Sequence, residues 1–242
     1  MEQFVWHIYA HVYDLILPEL SPYQQMIRRV YEALDPRKGE CYLDAGCGTG
    51  NYLLPFLDSD HHLTLVGIDY SNAMLKRAQK KLRGREEKVD LYELDLNNDL
   101  PFDKGVFNGV TCINVLYAIK TPKFAIQELY RVLNNGGRMV LITPLDEPEM
   151  LPILKEHLST LKANYPKLWG LIFFYQIIKF FIPALIFVPI NIYIKSNKKY
   201  HFFSEEAIRL LLTSNGFRIH EIDLIYGQQN WFIVAEKSQV NA

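Results

Sequence analysis

The chain reads as a doubly wound α/β domain built on a largely parallel sheet. Three observations predict it. Short apolar runs end in the acids Asp44, Asp69 and Asp95. Stretches with helical spacing of apolar residues separate the runs. The first run opens into Gly46-Cys47-Gly48-Thr49-Gly50. Alternating strands and helices of this kind make a sheet covered on both faces. A chain of 242 residues can bury one large core, so a single domain with an insertion is expected.

The elements follow in order. Residues 4 to 34 carry Val12, Leu15 and Ile16, then Met26, Ile27, Val30 and Leu34, at helical spacing interrupted by Pro18 and Pro22, so two helices are expected. After Asp35-Pro36 the first strand runs to Leu43-Asp44-Ala45 and the glycine loop. Glycine has no Cβ, adopts φ > 0 readily and lets another molecule approach the backbone. A strand, such a loop and then a helix hold a nucleotide-like ligand. Leu63 to Ile68 is the second strand, and Asp69 at its end is placed to accept both hydroxyls of a ribose. Ser71 caps a helix to about Arg83. Val89 to Leu94 is the third strand, followed by Asp95-Leu96, and Val106 to Ile113 is the fourth, followed by Asn114-Val115-Leu116-Tyr117. Thr121-Pro122 opens a helix ending at Asn135-Gly136, and Met139 to Thr143 is the fifth strand. Past an insertion, Ser204-Glu205-Glu206 caps a helix to Ser214, which Asn215-Gly216 stops. Residues 217 to 225 and 231 to 236 form a closing antiparallel hairpin.

The glycine spacing narrows the ligand. Dinucleotide loops favour G-x-G-x-x-G around a pyrophosphate. Here the pattern is G-x-G-x-G directly after Asp44, and a carboxylate there repels a pyrophosphate but suits a cation. A lone glycine loop is often only a turn, and lone acids at strand ends are often surface carboxylates. The order of loop, Asp69 and Asp95 on one sheet edge carries the inference. On these residues the chain resembles the class I S-adenosylmethionine-dependent methyltransferases, over about residues 40 to 145 and again from about 200. Asn108 departs from the pattern, which often has Asp there.

The resemblance implies a Rossmann-like seven-stranded sheet in the order 3-2-1-4-5-7-6, with strand 7 antiparallel and helices on both faces. It implies S-adenosyl-L-methionine as cofactor. By the same resemblance Asp44 lies near the donor's amino-acid end, Gly46, Gly48 and Gly50 let the donor pass, and Asp69 takes its ribose hydroxyls. Asp95 receives the adenine amino group beside the Leu96 N–H, and Tyr70, Met74, Asn114 and Val115 complete the wall. Tyr13, in an aromatic N-terminal helix, would touch the donor's carboxylate or, through a cation–π contact, its sulfonium; plain packing of that helix on the core is the other reading. The chain then divides into a helical cap (1–36), a donor-binding core (37–147), an apolar, basic insertion (148–203) and a closing helix and hairpin (204–242).

A formal charge of −1 gives no general attraction to nucleic acid, and no Asn/Asp-Pro-Pro-Tyr motif of base methylation occurs. Cys41, Cys47 and Cys112 lie in or beside apolar strands as free thiols, and no cluster of metal ligands stands out. An N-terminus with Glu2 and no basic region does not read as a secretory signal, so a cytoplasmic location is expected.

The insertion differs from the rest. Leu168 to Tyr175 and Phe180 to Ile190 are strongly apolar and aromatic, and between Leu151 and Phe203 seven lysines face the single acid Glu156. That segment is therefore about +6 and the remainder about −7. Such a composition suits anionic headgroups at the inner face of a membrane, touched through residues 168 to 199. A spanning helix needs about twenty uninterrupted apolar residues, and Lys179, Pro183 and Pro189 divide this run, so a monotopic or re-entrant contact is expected. A lid over the active site and a homodimer interface stand beside it. All three imply an apolar acceptor.

Methyl transfer from a sulfonium is an in-line displacement that depends on alignment and exclusion of water. Tyr13, His11, Tyr117 and His201 are the candidates for a catalytic group, and His7 shares a helix face with His11. The leading function is methyl transfer to a hydrophobic small molecule or lipid-like acceptor, such as a quinone precursor, a lipid headgroup amine or an isoprenoid. The alternative is an inactive donor-binding module with a membrane-associated or regulatory role. A nicotinamide-dependent oxidoreductase is disfavoured by the glycine spacing and by Asp44.

Overall fold

The structure, a computed structural model, describes residues 2–85 and 89–238. Its strands are β1 (Cys41–Ala45), β2 (Thr64–Asp69), β3 (Val89–Glu93), β4 (Phe107–Ile113), β5 (Leu133–Pro144), β6 (Phe217–Ile225) and β7 (Asn230–Lys237). They form one seven-stranded sheet in the order β3-β2-β1-β4-β5-β7-β6. The pairs from β3 through β5 are parallel, and β7 runs antiparallel to both β5 and β6. The order and the reversed strand are those implied by the sequence.

The alternation of side chains along each strand divides the core. On one face Leu43, Ala45, Val110, Cys112, Met139 and Leu141 pack among themselves and against α5 (Pro122–Val132) and α8 (Glu205–Thr213). On the other, Tyr42, Ile113, Val140 and Ile142 meet α1 (Glu2–Ile16) and α2 (Ser21–Leu34). β1 and β4 are covered on both sides, which is why they read as nearly continuous apolar runs. A 3₁₀ turn at Leu17–Glu19, carrying Pro18, separates α1 from α2. Between β1 and β2 lies the short α3 (Leu54–Leu57), and α4 (Asn72–Lys81) follows β2, its first turn capped by Ser71 Oγ accepting the Met74 N–H at 3.4 Å. Ser204 Oγ caps α8 by accepting the Ala207 N–H at 3.3 Å.

Two expectations are corrected. Asn135-Gly136 does not end α5, which stops at Val132. β5 begins at once, pairing Leu133 with Phe107 and then Arg138 with Gly109, so the intervening residues bulge from the ladder. Gly136 takes φ +77 there, and a Cβ on Gly137 would lie 2.9 Å from the Asn108 carbonyl oxygen; the glycines serve a bulge rather than a helix stop.

The second correction concerns the insertion. Lys179, Pro183 and Pro189 do not divide the apolar run. After α6 (Leu151–Asn164), Trp169–Ser196 is one helix of 28 residues, α7, with both prolines inside it. Each proline removes a single backbone hydrogen bond, and packing on α1 holds the helix on either side. Phe187 stacks on Tyr9 with ring centroids 5.4 Å apart, and Asn191 Nδ2 donates to the Phe187 carbonyl at 2.8 Å.

A buried polar chain pins the insertion to the cap. The Ser21 N–H donates to His157 Nδ1 at 3.1 Å, which leaves Nε2–H to donate to Gln176 Oε1 at 2.9 Å. Lys179 pairs with Glu19 at 2.6 Å. Beyond α7, the His201 N–H donates to the Tyr117 carbonyl at 2.7 Å, and Phe203 bridges to Leu145 at the end of β5. Both ends of the insertion therefore return to the same edge of the sheet.

Candidate active site

The carboxyl ends of β1, β2 and β4 converge at the glycine loop. Cys47 and Gly46 donate their N–H groups to the Ile68 carbonyl, at 2.8 and 2.7 Å, which ties the loop to β2. Each of its glycines answers to a different constraint. Gly46 has φ +83, and a Cβ on it would lie 2.2 Å from Val115 Cγ2. Gly50, at φ +79, packs against Ala78 of α4. Gly48, at φ +53, has nothing within 4 Å of where its Cβ would be, so this is the place where the backbone faces open space.

Asp44 is buried at 3 % exposure. Its Oδ1 accepts from Thr111 Oγ1 at 2.7 Å, and its Oδ2 has no hydrogen-bond partner among the described residues. Burial pushes its pKa up to about 7, against the pull of the Thr111 hydroxyl. Asp69 spends one bond from each oxygen on the backbone: Oδ2 accepts the Gly48 N–H at 2.8 Å and Oδ1 the Ser71 N–H at 2.7 Å. Burial raises its pKa too, partly offset by those two bonds. Every carboxylate oxygen accepts more than one hydrogen bond, so Asp69 orders the loop and keeps capacity for a ligand. Asp95 Oδ1 accepts from the Asn97 N–H and side-chain amide at 2.9 and 2.7 Å. With Tyr70, Glu93, Leu94, Asn98 and Asp99 it lines a cavity of about 310 Å³. Leu96 and Met74 are buried nearby in the chain, whereas Tyr70 is exposed.

At the end of β4, Asn114 is left-handed (φ 54) and its Oδ1 accepts from Asn230 Nδ2 at 2.7 Å; Val115 lies over Gly46. Tyr13 sits in a nest of aromatics with Tyr9 and Tyr23, and its hydroxyl is 3.2 Å from that of Tyr23. Burial, reinforced by Tyr23, drives the Tyr13 pKa well above the usual phenol value. The same holds for Tyr117, stacked on Phe202 and raised chiefly by burial. His11 is on an exposed face of α1 and His201 is half-buried. Of the four catalytic candidates, His201 meets Tyr117 through its backbone N–H, and the side chain of His7 lies outside the described residues.

A cluster that sequence reasoning missed joins the cap to the loop. Asp14 Oδ1 accepts from Thr49 Oγ1 at 2.6 Å and from Lys81 Nζ at 2.8 Å. Lys81 also donates to Thr49 Oγ1 at 2.9 Å and to the Asn51 amide oxygen. The C-terminal half of α1 is thereby fastened beside the glycine loop. Its members come from three separate elements, α1, the glycine loop and α4, so no local sequence pattern reveals it.

The residues present fit a cationic, ribose-bearing donor: a buried carboxylate oxygen without a partner, open space at Gly48, and Asp69 and Asp95 following along the same edge. Residues 43–141 match the family described as Methyltransferase domain. A demethylmenaquinone methyltransferase of Clavibacter sepedonicus is 33% identical over 140 residues, covering 58% of this chain and 55% of that protein. A phosphatidylethanolamine N-methyltransferase of Cereibacter sphaeroides is 29% identical over 133 residues, covering 54% and 62%. The chain spans about half the length of the demethylmenaquinone methyltransferases it matches. Among solved structures, the [4+2]-cyclase SpnF superposes with a TM-score of 0.66 at 16% identity, over 98% of this chain and 97% of that one. The fold alone thus accommodates more than one named activity. With the domain match, the sheet order and the acids along its edge taken together, the chain is similar to the class I S-adenosylmethionine-dependent methyltransferases, the match resting on residues 43–141.

Proposed function

We propose that the protein transfers a methyl group from S-adenosylmethionine to an apolar acceptor of quinone or lipid type. The observation that carries the donor half is Asp44, a buried carboxylate at the head of the glycine loop with one oxygen unpartnered. That oxygen would receive the donor's ammonium group, Asp69 its ribose hydroxyls and Asp95 its adenine amino group. Gly48 gives the donor backbone to lie against. Leu96, Tyr70, Met74, Asn114 and Val115 would border it. When bound, S-adenosylmethionine supplies a methyl group activated by a sulfonium.

The chain's own contribution is alignment and dryness. α1, fastened through Asp14 to Thr49 and Lys81, and α7, stacked on it through Tyr9 and Phe187, would roof the cleft. Tyr13 and Tyr117 stay protonated at neutral pH, since burial raises both phenols; they do not serve as bases. An acceptor that is already nucleophilic, such as an electron-rich hydroquinone ring or an amine headgroup, matches a site of this kind. The names of the two relatives, one quinone-directed and one lipid-directed, agree with that class.

The test is transfer of radiolabelled methyl from the donor to a prenylated hydroquinone, to phosphatidylethanolamine and to a water-soluble catechol. Labelling of one of the apolar acceptors, with little on the catechol, is the expected result. Donor binding without transfer to any acceptor would favour the inactive binding module.

A further inference from the structure

Among the described residues, the outer face of α7 has no partner. Its inner face meets α1 and α6 through Gln176, Phe187 and Ile194, all buried. Opposite lie Leu171, Tyr175, Ile178, Ile182, Leu185 and Ile192, spaced alternately four and three residues apart except where Pro189 takes one place in the stripe, and each is at least 60% exposed. Over this helix the mean hydropathy of the richest 18-residue window is 2.2, yet only 11% of that window is buried. Soluble proteins seldom leave so continuous an apolar stripe in water.

Lysines close both ends of the stripe. Lys162 and Lys167 precede it, Lys162 lying over the Trp169 ring at 4.6 Å, and Lys195, Lys198 and Lys199 follow it; all five are exposed. The single acid of the segment, Glu156, is turned inward to accept the Gly227 N–H. Pairing with a second copy through this face, parallel or antiparallel, would set lysine ends against lysine ends with no carboxylate between them. The tethers at Ser21–His157–Gln176 and His201–Tyr117, with Phe187 stacked on Tyr9, hold α7 along the cap, which favours a contact in the plane of a membrane over a span.

From this arrangement we propose that the outer face of α7 docks on an anionic phospholipid surface. The helix lies in the plane of the interface, its stripe of Leu171, Ile178, Ile182 and Leu185 in the boundary between headgroups and acyl chains, its terminal lysines against phosphates. None of these residues belongs to the donor cleft, so the proposal stands or falls apart from methyl transfer.

Co-sedimentation of the full chain with vesicles tests it. The wild type is expected to pellet with phosphatidylcholine–phosphatidylglycerol vesicles and much less with phosphatidylcholine alone. The combined variant Leu171→Glu, Ile178→Glu, Ile182→Glu and the combined variant Lys195→Glu, Lys198→Glu, Lys199→Glu should each partition about tenfold or more weakly. Unchanged thermal melting and donor affinity in both variants would show that they fold. The proposal is overturned if the wild type stays in the supernatant with anionic vesicles, if either variant partitions like it, or if phosphatidylcholine alone binds equally. A wild-type dimer in light scattering that the glutamate stripe converts to monomer would also overturn it, assigning the face to a second copy.

Discussion

In the proposed site, Asp44 is the carboxyl through which donor binding would depend on pH. Its folded pKa is raised to about 7, so the folded chain holds a proton there that the unfolded chain has released. Stability from this group is fully present below the ordinary carboxylate pKa of about 4 and is lost as pH rises through about 7. A cationic donor prefers the ionised form, so its affinity should strengthen from pH 6 to pH 8, read by titration calorimetry across that range. Asp44→Asn should melt higher than the wild type at pH 8 and bind the donor more weakly. The glycines make a second residue-scale prediction. Gly46→Ala meets Val115 and a left-handed φ together, and should cost roughly 1–3 kcal/mol in chemical denaturation. Gly48→Ala projects its methyl into open space, so beyond the strain of φ +53 its effect should fall on donor affinity. From the sequence, Asp44, Asp69 and Asp95 could be placed at strand ends because the apolar runs stop at them. Lys81, Thr49 and Asn51 could not, since their meeting with Asp14 depends on how α1 crosses the loop.

At the scale of elements, regular amphipathic helices and strands agree with their sequence patterns, and the two departures have local causes. The bulge at Gly136 resembles a helix stop because both use a glycine at positive φ. α7 stays whole because tertiary packing outweighs two missing backbone bonds. Its anchorage rests on His157, whose ring links α2 to α7 through Ser21 and Gln176. His157→Leu leaves the Ser21 N–H and the Gln176 amide without their partner and should lower stability by roughly 1–3 kcal/mol. Hydrogen exchange should quicken along α6 and α7 while β1, β2 and the donor affinity stay as they were. Protection unchanged in α6 and α7 would mean that apolar packing alone seats the insertion.

At the scale of the whole molecule, the parallel half of the sheet gathers its acids on one edge, and Asp14 fastens the helical cap beside the glycine loop there. The strand order was accessible from the sequence only through resemblance, because periodicity predicts strands but not their neighbours. The central claim is that this edge binds a methyl donor, with Asp69 as a principal anchor. Titration calorimetry of S-adenosylmethionine into the wild type and into Asp69→Ala at pH 8 tests it most directly. Saturable binding to the wild type, weakened by roughly 1–3 kcal/mol in the variant, is the predicted result; no binding to the wild type, or equal affinity for both, would contradict it.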